Sequence, residues 1–313
     1  MHRLDERTAQ ALITLCRWYV RHAPGRLGTA AVAARYLNPR LQRLPRRRVA
    51  RTRFGARFLV DTEDLIQRYL YMFGVWEPHM THWLQRRLRP GDTFVDVGAN
   101  IGYVSVLASR LVGESGRVVA IEASPAFHHR LRQHARLNGC ANIRAVNAAV
   151  SDQRKPLTFV LASSKNLGAN SIVPYDGPAE SVFEIEASPL PDLLDAEEIA
   201  RARVIKIDVE GAEGGVVRGL APMLDLLRPD AEITVEVTPD RMAQLGDSVE
   251  ELLEIMRKHG FHVYRLVNDY AADSYPAALR RSAQGKSAPV RWRGPVVDES
   301  DLIFSRVDAE TLP

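Results

Sequence analysis

The chain reads as a doubly wound α/β protein: a mostly parallel, seven-stranded sheet with helices on both faces, preceded by a helical appendage. Three observations predict this. From residue 93 onward, short β-branched runs alternate with amphipathic stretches, the pattern of parallel strands joined by right-handed helical crossovers. A small-residue loop, 98–102, separates the first of these strands from its helix. The 313 residues, 46% of them hydrophobic, suffice for one large α/β domain with additions.

Each element has its own signal. "TAQALITLCRWYVRH", 8–22, has helical spacing, with Leu12, Leu15, Cys16 and Tyr19 on one face, and Pro24 and Gly25 end it. A second helix is expected over 28–38. An Arg-rich connector follows and becomes a strand near 54–60. Pro78 starts a helix that stops at "RPGD". Then come strand "TFVDV", helix 102–112, strand "RVVAIEA", helix 125–138 and strand "NIRAVNAAV". An interlude, 155–200, holds strand-like "PLTFVLA" and "SVFEIEA" around a polar loop. Strand "ARVIKIDV", helix 212–227, strand "AEITVEV", helix 248–259 and strand "HVYRLV" complete the alternation, and "DLIFSRV" is an antiparallel closing strand. The expected division is a basic helical appendage, 1–60, and an α/β domain, 61–313, with 155–200 as an insertion.

Charge is unevenly spread. Residues 1–60 hold 14 Arg against Asp5 and Glu6, a local net of +12 beside +4 for the whole chain. The remainder is therefore acidic. Two cysteines, Cys16 and Cys140, make neither a disulfide framework nor a Cys-x-x-Cys zinc motif. No apolar run approaches the ~20 residues of a membrane span, and no signal peptide is evident. The expected location is cytoplasmic.

The loop "VDVGANIGYVS" carries the most chemistry. Gly98 and Gly102 let the chain turn and let a ligand approach backbone, but Asn100 stands where a dinucleotide fingerprint has its second glycine. Asp96 ends the strand two residues before Gly98. A carboxylate there repels a pyrophosphate and suits an ammonium group. Glu122 ends the next strand, where an acid commonly accepts hydrogen bonds from ribose hydroxyls. Asp96 with Glu122 favours S-adenosylmethionine over NAD. Asn147, Ala148 and Asp152, beyond the third strand, leave room for an adenine ring.

A second acidic cluster is "KIDVEGAE", 206–213. Asp208 ends the fourth strand, at the sheet edge where open α/β folds bind ligands, and is expected to face the reactive end of the methyl donor. Glu236 ends the fifth strand. With Asp208 it forms a carboxylate pair suited to a hard cation such as Mg²⁺.

With these motifs in view, the chain resembles the FkbM-type methyltransferases, of the class I, Rossmann-like S-adenosylmethionine-dependent fold. The resemblance spans about 70–270 and rests on "WEPHMTHWL", "FVDVGANIGYVSVLAS", "VVAIEASP", "NAAVSD" and "IKIDVEGAE". It implies that Asp96, Gly98, Asn100 and Gly102 line the methionine part of the donor, that Glu122 holds its ribose and that Glu77 closes over it. It places Asp208, Glu210 and Gly211 near the acceptor. It implies O-methylation of a hydroxyl on a small molecule, a sugar, a glycolipid or a polyketide. The Arg-rich first 60 residues do not match the family.

A hydroxyl acceptor must lose its proton. Asp208 is the first candidate base, and His79 and His82 the second. The loop 163–178 is the expected acceptor lid, with Asn166, Asn170 and Ser171 as polar contacts. Two rival readings are a nucleic-acid methyltransferase and a non-catalytic membrane-surface adaptor. Against the first, no [DN]-P-P-[YF] motif follows the fourth strand and the basic arm lacks interleaved aromatics. Against the second stands the intact Asp96–Glu122 pair. Residues 1–60 are nonetheless expected to make weak, salt-sensitive contact with anionic membrane surfaces.

Overall fold

The chain folds as two units. One comprises Met1–His82 with Asn268–Lys286, the other Trp83–Val267 with Ser287–Pro313. The computed structural model describes residues 6–23, 27–162, 179–267 and 269–312. The sequence expectation drew its boundary at residue 60. The observed division falls later, inside the helix Pro78–Arg87.

In the first unit, helix Glu6–His22 buries Ala9, Ile13 and Val20, a stripe one step round from the expected face. Leu15 is accordingly 61% exposed. The second helical run covers Thr29–Arg43 and widens to a π-turn over Val32–Leu37. Pro39 has no N–H to give the preceding turn, and the wider turn absorbs the loss. The expected connector contains a strand, β1 (Arg47–Arg51), paired antiparallel with β2 (Arg57–Asp61). Its alternation is masked by arginines on the outer face, while Ala50, Phe58 and Val60 point inward. Helix Leu65–Phe73, capped by Asp64 and closed by Gly74, was not anticipated. Residues 67–73 are all buried, the polar Gln67 and Arg68 included.

The second unit holds an eight-stranded sheet. Its strands are β3 (Thr93–Val97), β4 (Arg117–Ile121), β5 (Ile143–Val146), β9 (Ala202–Ile207), β10 (Glu232–Val237), β11 (His262–Leu266), β12 (Val290–Arg291) and β13 (Ser300–Ser305). The order is β12-β11-β13-β10-β9-β3-β4-β5. Strands β3, β4, β5, β9 and β10 run parallel, and β13 lies antiparallel between β10 and β11. The expected seven strands are therefore present, and the eighth is the two-residue β12. Valine, isoleucine and leucine of β3, β4, β9, β10 and β13 form the core with Val216, Val217, Leu252 and Met256 of the flanking helices.

The expected strand 142–150 is two. After β5 the chain breaks at Asn147, and β6 (Ala149–Val150) joins a separate three-stranded sheet with β7 (Lys155–Ala162) and β8 (Ala179–Ser188). The helix expected over 212–227 becomes Glu213–Leu220 followed by a 3₁₀ stretch, Ala221–Leu226, at Pro222.

Candidate active site

The central strands β3 and β9 pair in register, with Asp96 beside Lys206. Their ends are pressed together: the N–H of Asp208 donates to the carbonyl of Val97 at 3.0 Å. A Cβ on Gly98 would lie 1.7 Å from the carbonyl oxygen of Asp208, and Gly98 has φ +81°. Only glycine fits on both counts.

The loop after β3 is closed on itself. The N–H groups of Gly98 and Ala99 both donate to the carbonyl of Ile121 at 3.0 Å, and that of Gly102 donates to Ala99 at 2.8 Å. Asn100 N–H donates to Glu122 Oε2 at 2.7 Å, and Ile101 N–H to Asn100 Oδ1 at 2.7 Å. Every N–H from 98 to 102 is thus engaged, and none is left to make the anion-binding nest that a pyrophosphate requires. Asn100 has φ +51°, a left-handed conformation that asparagine tolerates, which explains how the loop does without a second glycine.

Asp96 is 0% exposed. One carboxylate oxygen accepts from Ser105 Oγ, and the other, Oδ1, has no partner among the described residues. Burial raises its pKa, against the opposing effects of Lys206 and Ser105. Glu122 accepts from Asn100 and from the N–H of Ser124 at 2.8 Å. Burial pushes it up to about 7, and those hydrogen bonds offset only part of the rise. Asn147 ties down the end of β4 by donating to the carbonyls of Glu122 and Ala123. Ala148 is half-buried against the core. Asp152 is engaged by Arg218 at 3.3 Å and Lys155 at 3.5 Å. Burial works to raise its pKa, but Arg218 and Lys155 hold it below the usual value.

After β9 the acids are held by cations. Lys206, nearly buried, meets Asp208 Oδ2 at 2.7 Å, and Arg241 pairs with Glu210. Glu236 lies beside Asp208, its carboxyl within hydrogen-bonding reach. Burial raises the pKa of Asp208, yet Lys206, the bond to Glu236 and Arg241 together bring it below the usual range. Glu210 differs: burial, then the charge of Asp208, push it up to about 7 despite Arg241. Glu213, fully buried, takes the Gly211 N–H at 2.9 Å and is pushed by burial up to about 8. Carboxyl oxygens of Asp208, Glu210 and Glu236 lie within 4.8 Å of one another, so the expected Asp208–Glu236 pair is formed and Glu210 joins it.

Glu77 and the two histidines belong to the first unit. Glu77 is buried at φ +42°; its N–H donates to the hydroxyl of Tyr275, and Oε1 accepts from Tyr270 at 3.0 Å. His79 is 2% exposed, 3.1 Å from Ser282 Oγ, and burial followed by Arg281 and His82 brings it down to about 4. At neutral pH it is an uncharged, weakly basic ring in a packed position. His82 is half-buried. Asn166, Asn170 and Ser171, with the loop 163–178, lie outside the described residues.

Among the described residues, the non-glycine positions with positive φ are Glu77, Asn100 and Glu210. Each was singled out from sequence. Such strain persists where surrounding structure over-determines the backbone, as at functional sites. Sequence reasoning missed Ser105, Lys206, Arg241, Tyr270, Tyr275 and His134, whose Nδ1–H donates to the carbonyl of Ile101 at 2.8 Å. Lys206 had a signal: it is a charge set between Ile205 and Ile207, and its i,i+2 spacing puts it on the same face as Asp208.

The sequence profile of the methyltransferase FkbM domain matches residues 96–263. A hexuronic acid methyltransferase, AglP, from Haloferax volcanii is 25% identical over 228 residues, 69% of this chain and 87% of AglP. Methyltransferase 1 of Beauveria bassiana is 26% identical over 149 residues, 42% of this chain and 59% of that protein. Among solved structures, methyltransferase FkbM from Methylobacillus flagellatus KT matches 77% of this chain and 52% of its own length, at 16% identity and a TM-score of 0.40. This chain thus spans about half of that structure.

Proposed function

The chain belongs to the FkbM methyltransferase family and is an S-adenosylmethionine-dependent methyltransferase; on that premise we propose that it methylates a hydroxyl oxygen of a sugar-like small molecule. The observation that carries this reading is the carboxyl cluster at the ends of β9 and β10, where Asp208, Glu210 and Glu236 converge within 4.8 Å. Carboxylates accept hydrogen bonds from hydroxyl groups and take up their protons. The 25% identity to a hexuronic acid methyltransferase supports a sugar as the acceptor.

The loop fits the methyl donor. Asp96 Oδ1 is a buried acceptor lacking a partner among the described residues, suited to an ammonium group. The engaged N–H groups of 98–102 argue against a phosphate. Asp96, Gly98, Asn100 and Gly102 would hold the methionine part, Glu122 the ribose, and Asn147, Ala148 and Asp152 the adenine side. When bound, S-adenosylmethionine supplies an electrophilic methyl group. The residues of the chain then align the acceptor oxygen, and proximity and orientation contribute most. Asp208, ionised and held by Lys206, accepts the hydrogen bond of the hydroxyl and orients it. Glu210, at about 7, takes the proton, since a base works best when its pKa lies near the operating pH. His79, at about 4, is poorly matched to that task. No step requires Mg²⁺, because Lys206 and Arg241 already supply positive charge to the acids.

The test is incubation with methyl-labelled S-adenosylmethionine and a panel of hexuronates, neutral sugars, glycolipid extract and RNA. Label on a sugar oxygen, located by mass spectrometry as one added CH₂, is the expected result. Label on nucleic acid or on a nitrogen atom overturns the reading.

The first unit bears on where the acceptor is met. No helix among the described residues is long and apolar enough to cross a membrane. The outer face of β1–β2 pairs exposed Val49 with exposed Leu59, flanked by Arg47, Arg51 and Arg57. Leu15 and Trp18 are exposed one turn apart on the first helix. Arginines around apolar side chains suit an anionic lipid surface, and so a cytoplasmic enzyme attached weakly to the membrane and acting on a lipid-linked sugar. Co-sedimentation with anionic liposomes at low salt, lost at high salt, is expected; its absence at low salt rejects the attachment.

A further inference from the structure

A cavity of about 250 Å³ lies at the far end of β11 and β12, lined chiefly by Arg257, Phe261, His262, Arg291, Trp292 and Arg293. Topology separates it from the carboxyl cluster. His262 is the first residue of β11 and pairs with Ser305, which also pairs with Glu232, the first residue of β10. The cavity therefore opens at the edge of the sheet where the parallel strands begin, opposite the ends that carry Asp96 and Asp208. It is also displaced sideways: β11 stands four places from β3, roughly 19 Å at the usual strand spacing.

Its walls combine flat apolar surface with positive charge. Phe261 is buried and Trp292 half-buried. Arg265 lies over the Trp292 ring at 4.9 Å and Arg306 over the Phe261 ring at 4.4 Å. Arg291 is fixed by Asp308 at 2.6 Å and by His262 Nδ1 at 2.7 Å. A guanidinium only donates, so His262 Nδ1 accepts. Arg293 is matched by Glu310 in a two-point pair. Arg257 is exposed and has no ion pair among the described residues, and Arg306 gives its hydrogen bonds to the carbonyls of Leu224 and Arg228. Of the three lining arginines, Asp308 and Glu310 neutralise two. Arg257 is the charge left for a ligand.

We propose that this cavity binds a small aromatic monoanion, an aryl carboxylate, at a site separate from the methyl-transfer centre. The ring lies against the half-buried Trp292, and the carboxylate pairs with Arg257. The volume is below that of pockets for drug-sized ligands, which limits the occupant to one or two rings.

The test is titration of the whole chain with 2-naphthoate, followed by the indole N–H signal of Trp292 in ¹⁵N-resolved NMR and assigned by loss in Trp292→Phe. Saturable movement of that signal is expected. Arg257→Gln, a change on an exposed helix surface, should weaken binding about tenfold, the loss of one charge-assisted bond. Neutral 2-naphthamide should bind no better than that variant binds 2-naphthoate. S-adenosylhomocysteine should not displace 2-naphthoate. Equal binding of the amide, unchanged binding in Arg257→Gln, or displacement by S-adenosylhomocysteine overturns the proposal.

Discussion

The loop after β3 and the loop after β9 lie side by side and hold their acids in opposite ways. The first is a backbone device: each N–H from 98 to 102 has an acceptor within the same loop or at the end of β4, and Asp96 is sealed beneath it. The second is a side-chain device: Asp208 and Glu210 are placed by Lys206, Arg241 and Glu236, which come from different points of the chain. Backbone hydrogen bonding fixes shape. Ion pairs among half-buried acids fix protonation, lowering Asp208 while leaving Glu210 at about 7. The rigid loop suits a constant donor and the titrating one suits proton removal.

The two loops touch at Gly98, and breaking that contact should have the largest effect. Gly98→Ala places a methyl group 1.7 Å from the Asp208 carbonyl at φ +81°. Backbone strain and overpacking together should cost roughly 3–5 kcal/mol. Urea unfolding should show that loss, and calorimetry should show weakened S-adenosylmethionine binding. Native stability in this variant would mean that the two strand ends move independently.

Within the second loop, Asp208→Asn and Glu210→Gln keep size and packing. Turnover should fall by about 10²–10⁴ while donor affinity holds, and a parallel loss of affinity would merge the two roles. Glu210 adds a pH signature. A base must be ionised to act, so wild-type kcat should rise with pH through about 7 and flatten above it. Glu210→Gln should lose that limb, and a surviving limb would assign the titration to another group.

In the first loop, Asp96→Ala should do the reverse. Loss of a charge-assisted bond to the ammonium is worth roughly 1.5–3 kcal/mol, seen as weaker S-adenosylmethionine binding with kcat at saturation little changed. NAD binding as tight as that of S-adenosylmethionine would refute the reading of the loop.

The same contrast explains what could be read in advance. Asp96, Gly98, Asn100, Gly102 and Glu122 were visible because backbone devices are local: the residues that need the turn also make it. The alternation of strands and helices was visible for the same reason, since each element carries its own periodicity. Arg241 and His134 were not, because their partners are remote in sequence and nothing near either residue announces the pairing. Strand β1 escaped because arginines crowd its outer face. The first helix was found with its face misjudged: Leu15 looked like core, yet Ile13 and Val20 are the residues that pack. Asp152 was read as adenine-facing, and its ties to Arg218 and Lys155 come from outside that motif.

The smallest expected effect concerns a cation. Three carboxyl groups within 4.8 Å are what a hard divalent ion uses, and from sequence Asp208 with Glu236 suggested Mg²⁺. The structure supplies competing charge. Lys206 and Arg241 each pair directly with one of these acids. To enter, a divalent ion must displace at least one ammonium or guanidinium from a half-buried site. Prolonged treatment with a chelator should therefore leave turnover unchanged, and added Mg²⁺ should not raise it. Lys206→Met removes the competitor nearest Asp208 without adding a ligand. If the argument from charge is right, that variant should lose activity and should bind Mn²⁺, read by its paramagnetic broadening of nearby signals, more tightly than the wild type does. Chelator-sensitive turnover in the wild type, restored by Mg²⁺, would show instead that the acids after β9 serve a metal and that the ion pairs give way to it.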